Sequence, residues 1–217
     1  MLARSKKFLN SALLSIGLAV SGAAAADPLA IQITDPNAAI SGYPPPYALI
    51  IYDLVDSNTA TFTITAYSPY YIGAVNSVAV NFASAITLGT ISGTSACANP
   101  YSSSGGGNVS SFGTFNLIID TNNGANCAGT SITFTVDKNV GTWANTADIL
   151  TANTDGYLAA AHIFAGCTGT PPNRSCVVTG FAGGDQAVPP DEIPEPQTLA
   201  LLGLGLLALA SVRRRRQ

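Results

Sequence analysis

Alternation of apolar and polar positions marks the first half of the chain. Ala48–Val55 (ALIIYDLV) and Thr59–Tyr67 (TATFTITAY) are rich in β-forming residues, and in the second run Phe62, Ile64 and Ala66 alternate with Thr61, Thr63 and Thr65. A period of two sets one face of a strand on a core and the other in water. Between them Asp56-Ser57-Asn58 is a turn signal, so the two runs predict a hairpin. Val75–Phe82 alternates again, with Val78, Val80 and Phe82 on one face, and Ile86–Ile91 predicts a further short strand. Ser92–Asn108, which ends in three serines and three glycines, reads as flexible surface loop.

Phe112–Asp120 and Ser131–Val136 predict a second hairpin around the turn-rich stretch TNNGANCAGT. Thr146–Asn153 (TADILTAN) is the one predicted helix, with Thr146 as N-cap and Asp148 in its first turn. Tyr157–Phe164 and Cys176–Phe181 supply the last strands. Many short strands, abundant Ser and Thr and glycine-rich turns predict an all-β fold over residues 27–182. The expected architecture is a β-sandwich of jelly-roll or immunoglobulin-like type with one short helix. Residues 183–193 read as an exposed, acidic, proline-rich linker.

Both ends follow different rules. Arg4, Lys6 and Lys7 precede the apolar run Phe8–Val20, and Ala24-Ala25-Ala26 offers small residues for cleavage. This is the pattern of a secretory signal peptide over residues 1–26, recognised at Ala24 and Ala26, which implies the Sec translocon and a signal peptidase as partners. At the other end Pro194-Glu195-Pro196 leads into a membrane helix predicted over residues 198–212, then the run Arg213–Arg216. Its uninterrupted apolar and small stretch, Leu199–Val212, is about 21 Å long as a helix, short of a hydrocarbon core of about 30 Å. Such a segment suits a temporary tether. The arginines resist translocation, which leaves the body on the far side of the membrane.

The order of tripeptide, apolar helix and arginine run over residues 194–217 resembles the PEP-CTERM sorting signal of exported bacterial proteins. The resemblance implies that Pro194, Glu195 and Pro196 are recognised by an exosortase, a membrane-embedded cysteine protease. It further implies export across the inner membrane, transient anchoring through the C-terminal helix, and a final place at the cell surface or outside the cell. Ile193 and Gln197 depart from the commoner Val before the tripeptide and Ser or Thr after it.

Removing both ends changes the charge. Between residues 27 and 190 there are nine aspartates and no glutamate against Lys138 and Arg174, a formal balance of −7. A body with two scattered cations is a poor match for phosphate backbones, so nucleic acid is not an expected partner. Cys97, Cys127, Cys167 and Cys176 in an exported chain predict disulfides, with Cys97–Cys127 and Cys167–Cys176 the favoured pairing of the three available. No cofactor is expected.

The candidate chemistry is thin. His162 is the sole histidine and lies in an apolar run, AAAHIF, which reads as a packed strand rather than a triad base. The aspartates lie mostly beside turn-forming residues, and Asp120-Thr121-Asn122-Asn123-Gly124 departs from the EF-hand pattern in the position of its glycine. No catalytic or metal-binding residue is therefore expected. Tyr43, Tyr47, Tyr70 and Tyr71, set among prolines, are the one candidate binding group, a flat platform for sugar rings. The sequence thus predicts a non-enzymatic protein of the cell envelope or matrix, structural in exopolysaccharide, biofilm or floc. The alternatives are a carbohydrate-binding module using the tyrosine-rich face and, more remotely, a secreted hydrolase.

Overall fold

The computed structural model describes residues 27–190 except 96, 98, 99, 122, 123 and 172. The predicted signal peptide, the sorting tripeptide, the predicted membrane helix and the arginine run lie outside the described residues. Within them the two alternating runs form the predicted hairpin. β3 (Ala48–Leu54) and β4 (Thr59–Ala66) pair antiparallel, with Ile50 opposite Ile64 and Tyr52 opposite Phe62. Asp56 closes the turn, its Oδ1 accepting the backbone N–H of Asn58 and of Thr59 at 2.8 Å each. Those two bonds favour the charged form and hold the Asp56 carboxyl below the usual aspartate range.

Two antiparallel sheets pack face to face. The first runs β1 (Leu29–Ile33), β3, β4, β10 (Ser131–Lys138), β7 (Ile86–Gly93). The second runs β2 (Asp35–Pro36), β12 (Ser175–Gly184), β11 (Ala159–Thr168), β6 (Val78–Val80), β9 (Gly113–Thr121), β8 (Tyr101–Val109), with β5 (Tyr71–Ile72) also on β11. Inward residues of both sheets meet in one core. Ile50, Phe62, Ile64 and Phe134 from the first sheet face Val78, Val80, Ile119, Ala161 and Ile163 from the second. Phe62 sits at its centre, stacked on Tyr52 at 5.2 Å and on Phe134 at 5.0 Å and meeting Phe82 edge-on at 5.4 Å. Burial pushes the Tyr52 phenol up to about 12.

The outer face of the first sheet is polar because the same alternation continues across strands. Thr61, Thr63 and Thr65 stand opposite Thr135, Thr133 and Ser131, and the Thr63 and Thr133 hydroxyls are 3.2 Å apart. The outer face of the second sheet is partly covered. Val109, Phe112 and Phe115 fold over Ala79, Ile118 and Ala160 in a second, smaller cluster, with Tyr157 and Phe181 packed against it.

Several sequence expectations are corrected. Phe112–Asp120 and Ser131–Val136 are not partners: β9 joins the second sheet, β10 the first, and α1 (Gly124–Cys127) lies in the crossing between them. Ser92–Asn108 is not one loop, since β7 continues to Gly93 and β8 starts at Tyr101. Glycine and serine carry no side-chain alternation, so the middle of the strand is held by its pairing with β9, with Tyr101 and Val109 packed at its two ends. Thr146–Asn153 is a single 3₁₀ turn, Thr146–Asp148, and Thr146 is buried rather than capping. Asn145 takes the N-cap position instead. The predicted linker begins too early. Gly183 and Gly184 belong to β12, and Val188 bridges Ala30 of β1.

Candidate functional site

β11 and β12 carry His162 to the outer face of the second sheet, opposite Phe181. Its ring lies between Phe164 at 5.2 Å and Phe181 at 4.2 Å. Nδ1 is 2.9 Å from the Val75 carbonyl, which can only accept, so Nδ1 carries the proton. Nε2 then accepts the Thr179 hydroxyl at 2.6 Å. Burial disfavours the imidazolium and lowers the pKa below the ordinary histidine value, against a smaller opposing effect of the Val75 carbonyl. Both nitrogens of a neutral ring are therefore engaged in holding strands and the β5–β6 loop together.

Five of the nine aspartates, Asp35, Asp53, Asp56, Asp120 and Asp137, hold the chain in the same way. Asp120 Oδ1 accepts the Asn76 N–H at 2.7 Å, which fixes a left-handed residue (φ 57°) in the loop before β6. Asp137 accepts the Thr59 hydroxyl at 2.8 Å, and Asp53 accepts the Leu54 N–H at 2.8 Å. Asp35 accepts the Tyr157 hydroxyl, and that bond, with burial, pushes the phenol up to about 12. Among the described residues no three of His, Cys, Asp and Glu come together as a metal ion would require.

The four tyrosines do not share an exposed face. Tyr47 is 0 % and Tyr70 5 % exposed, with their rings 5.1 Å apart. Their hydroxyls turn back on the chain: Tyr47 donates to the Tyr43 carbonyl and Tyr70 to the Pro44 carbonyl, both at 2.6 Å. Tyr43 is half-buried against the core, and the Tyr71 ring is covered by the Arg174 guanidinium at 3.7 Å. The expected sugar platform is thereby corrected. The proline-flanked segments do meet, but the Tyr47 and Tyr70 rings point into the core, where aromatic area is stabilised most by leaving water, and Tyr71 lies under Arg174.

Disulfides join Cys97 to Cys127 and Cys167 to Cys176. The first ties the β7–β8 connection to α1 in the β9–β10 crossing; the second staples the loop end of the β11–β12 hairpin, where the two cysteines are direct partners. Sequence reasoning missed one feature, a groove of about 510 Å³ beside the end of β7, lined also by Pro100 and Tyr101. It falls in the stretch read as loop, and its glycines and serines gave no signal.

Among the described residues no helix is long and apolar enough to cross a membrane. Residues 192–216 match the family model described as the PEP-CTERM protein-sorting motif. No curated protein and no solved structure matches the chain.

Proposed function

We propose that this chain, whose PEP-CTERM sorting motif implies an exported, envelope-sorted protein processed by an exosortase, delivers a structural, non-enzymatic β-sandwich placed among exopolysaccharides at the cell surface or in the matrix. The sorting motif carries this reading, and the body's build supports it. Two disulfides lock an all-β domain suited to an oxidising exterior, and both ring nitrogens of His162, the sole histidine, are engaged in hydrogen bonds between strands and loop. The body is a β-sandwich of two antiparallel sheets.

The route follows from the two ends. The Sec translocon and a signal peptidase act at residues 1–26, and the apolar helix holds the chain in the membrane until an exosortase cuts near Pro194-Glu195-Pro196. A carbohydrate-binding role loses its tyrosine face and keeps only the hydroxyl-rich outer face of the first sheet. Deleting residues 194–217 is the test. The truncated body should leave the envelope fraction, and mass spectrometry of the intact mature protein should show both ends trimmed. An unchanged destination and an unchanged C-terminus in the full chain would defeat the proposal.

A further inference from the structure

The tail leaves the body toward one end of the first sheet. Ala30 N–H donates to Val188 O at 2.8 Å and Val188 N–H to Ala30 O at 2.9 Å, an antiparallel pair. The chain at Val188 therefore runs back along β1 toward the residues where β1 starts. β1 is paired in turn with β3, Leu29 opposite Tyr52 and Ala30 opposite Ile51, which places the β3–β4 turn, residues 55–58, at that same end. β10 also finishes there, with Asp137 opposite Thr59. The loop that follows β10 is bound to the turn. Lys138 N–H donates to Asn58 O at 2.9 Å and Trp143 N–H to Ser57 O at 2.8 Å, and the Trp143 side chain is buried. Asn139 N–H donates to Ala85 O at 3.1 Å, and Lys138 Nζ to the Thr142 carbonyl at 2.8 Å.

This tip holds apolar side chains out in water. Val55 is 66 % and Val140 84 % exposed. A loose loop folds a valine away, but the bonds on either side of Val140 fix its loop, so the exposed area is built in. The same end carries Asp53, Asp56 and Asp137, and Asp148 on the 3₁₀ turn whose Thr146 hydroxyl reaches Asp53 at 3.5 Å. Of the body's two cations only Lys138 is here, since Arg174 covers Tyr71 on the second sheet.

The tail decides what meets this tip. Val55 lies four residues beyond Ile51, about 14 Å further along the sheet, and Val188 stands level with Ile51 across β1. Pro194 lies six residues beyond Val188, a reach of about 21 Å at most. The sorting tripeptide is therefore gripped no more than about 7 Å past the level of Val55. Counted across β1, β3, β4 and β10, the turn and the loop lie within about 20 Å of the tail, and an interface of ordinary size, about 800 Å² on each partner, is about 30 Å wide.

We propose that residues 55–58 and 138–143 dock on the face that the tail-cutting protease turns to the body, an apolar patch for the two valines with a basic surround for the carboxylates. The proposal rests on the reading of residues 192–216 as an exosortase signal. The bilayer is a poorer fit, because a tip with four carboxylates and one amine is repelled by anionic lipid. The body is then part of the substrate, and the tail is not the whole of what is recognised.

Tail removal from the full-length chain in the producing cell, followed by pulse labelling and intact mass, tests it. Val55→Ser with Val140→Ser should slow trimming about fivefold or more, with the thermal transition retained because neither side chain is packed. Val75→Ser with Val177→Ser, comparably exposed positions on the second sheet and its β5–β6 loop, should be trimmed at the unaltered rate. Asp137→Lys with Asp148→Lys should also slow trimming, whereas a tip resting on anionic lipid would be trimmed as fast or faster, which overturns the proposal. If the lysine pair fails to fold, the two valine pairs still decide. Equal rates for those pairs overturn the proposal and leave the sorting reading intact; an unaltered chain that keeps its tail overturns both.

Discussion

His162 is held neutral by its surroundings, and the sign of its effect on stability follows. Its folded pKa lies below the unfolded value of about 6.5, so the unfolded chain takes up the proton first as pH falls. The stability it contributes is complete above about pH 6.5 and is lost as pH falls through that value toward the folded one. The melting temperature should drop between pH 7.5 and 5.5, and His162→Gln should drop less over the same interval; calorimetry at the two pH values checks it. A fall of equal size in the variant would assign the dependence to other groups. At the same scale Phe62→Ala empties the centre of the aromatic stack and should cost about 3–5 kcal/mol, measured by denaturant unfolding. The place of Phe62 in the core was legible from its alternation with threonine. That of Tyr47 and Tyr70 was not, because prolines interrupt the period that would have shown which way each ring points.

Elements with a clean period of two were read closely: β3 and β4 end within a residue of the runs that predicted them. Sheet membership was not readable, because β9 and β10 are near in sequence and whether they pair or cross is decided by what each packs against. β8 was missed for a related reason: its glycines and serines carry no period, and its pairing with β9 is what sets the strand. Gly183, assigned to a linker, is such a position. A Cβ there would lie 2.6 Å from the Phe112 ring and 2.7 Å from that of Tyr157. Gly183→Ala should therefore destabilise by about 1–3 kcal/mol through overpacking, whereas a true linker glycine would tolerate it within about 0.5 kcal/mol. The two disulfides also differ in what they close, with a sequence separation of 30 from Cys97 to Cys127 and of 9 from Cys167 to Cys176. By loop entropy, replacing the first pair with serine should cost about 1 kcal/mol more than replacing the second, read from urea midpoints.

For the molecule as a whole, address and cargo were legible to different degrees. The sorting motif announces itself through the order of three compositional blocks, and the family match spans residues 192–216. The body announces only its class, because short strands of Thr, Ser and Ala are common to many sandwiches. Pro194→Ala with Pro196→Ala should leave an unprocessed chain of full C-terminal mass in the membrane fraction; normal trimming of that variant would remove the tripeptide from the recognition step. The bridge between Val188 and Ala30 sets the scale of that encounter. From Val188 to the first matched residue is an interval of four residues, about 14 Å when fully drawn out. Whatever grips residue 192 onward therefore works against a docked globule rather than at the end of a long leash. The chain leaves the body at the β1 edge, the edge opposite β7 in the same sheet, so the two edges of that sheet are not equivalent: one carries the tail and the other does not.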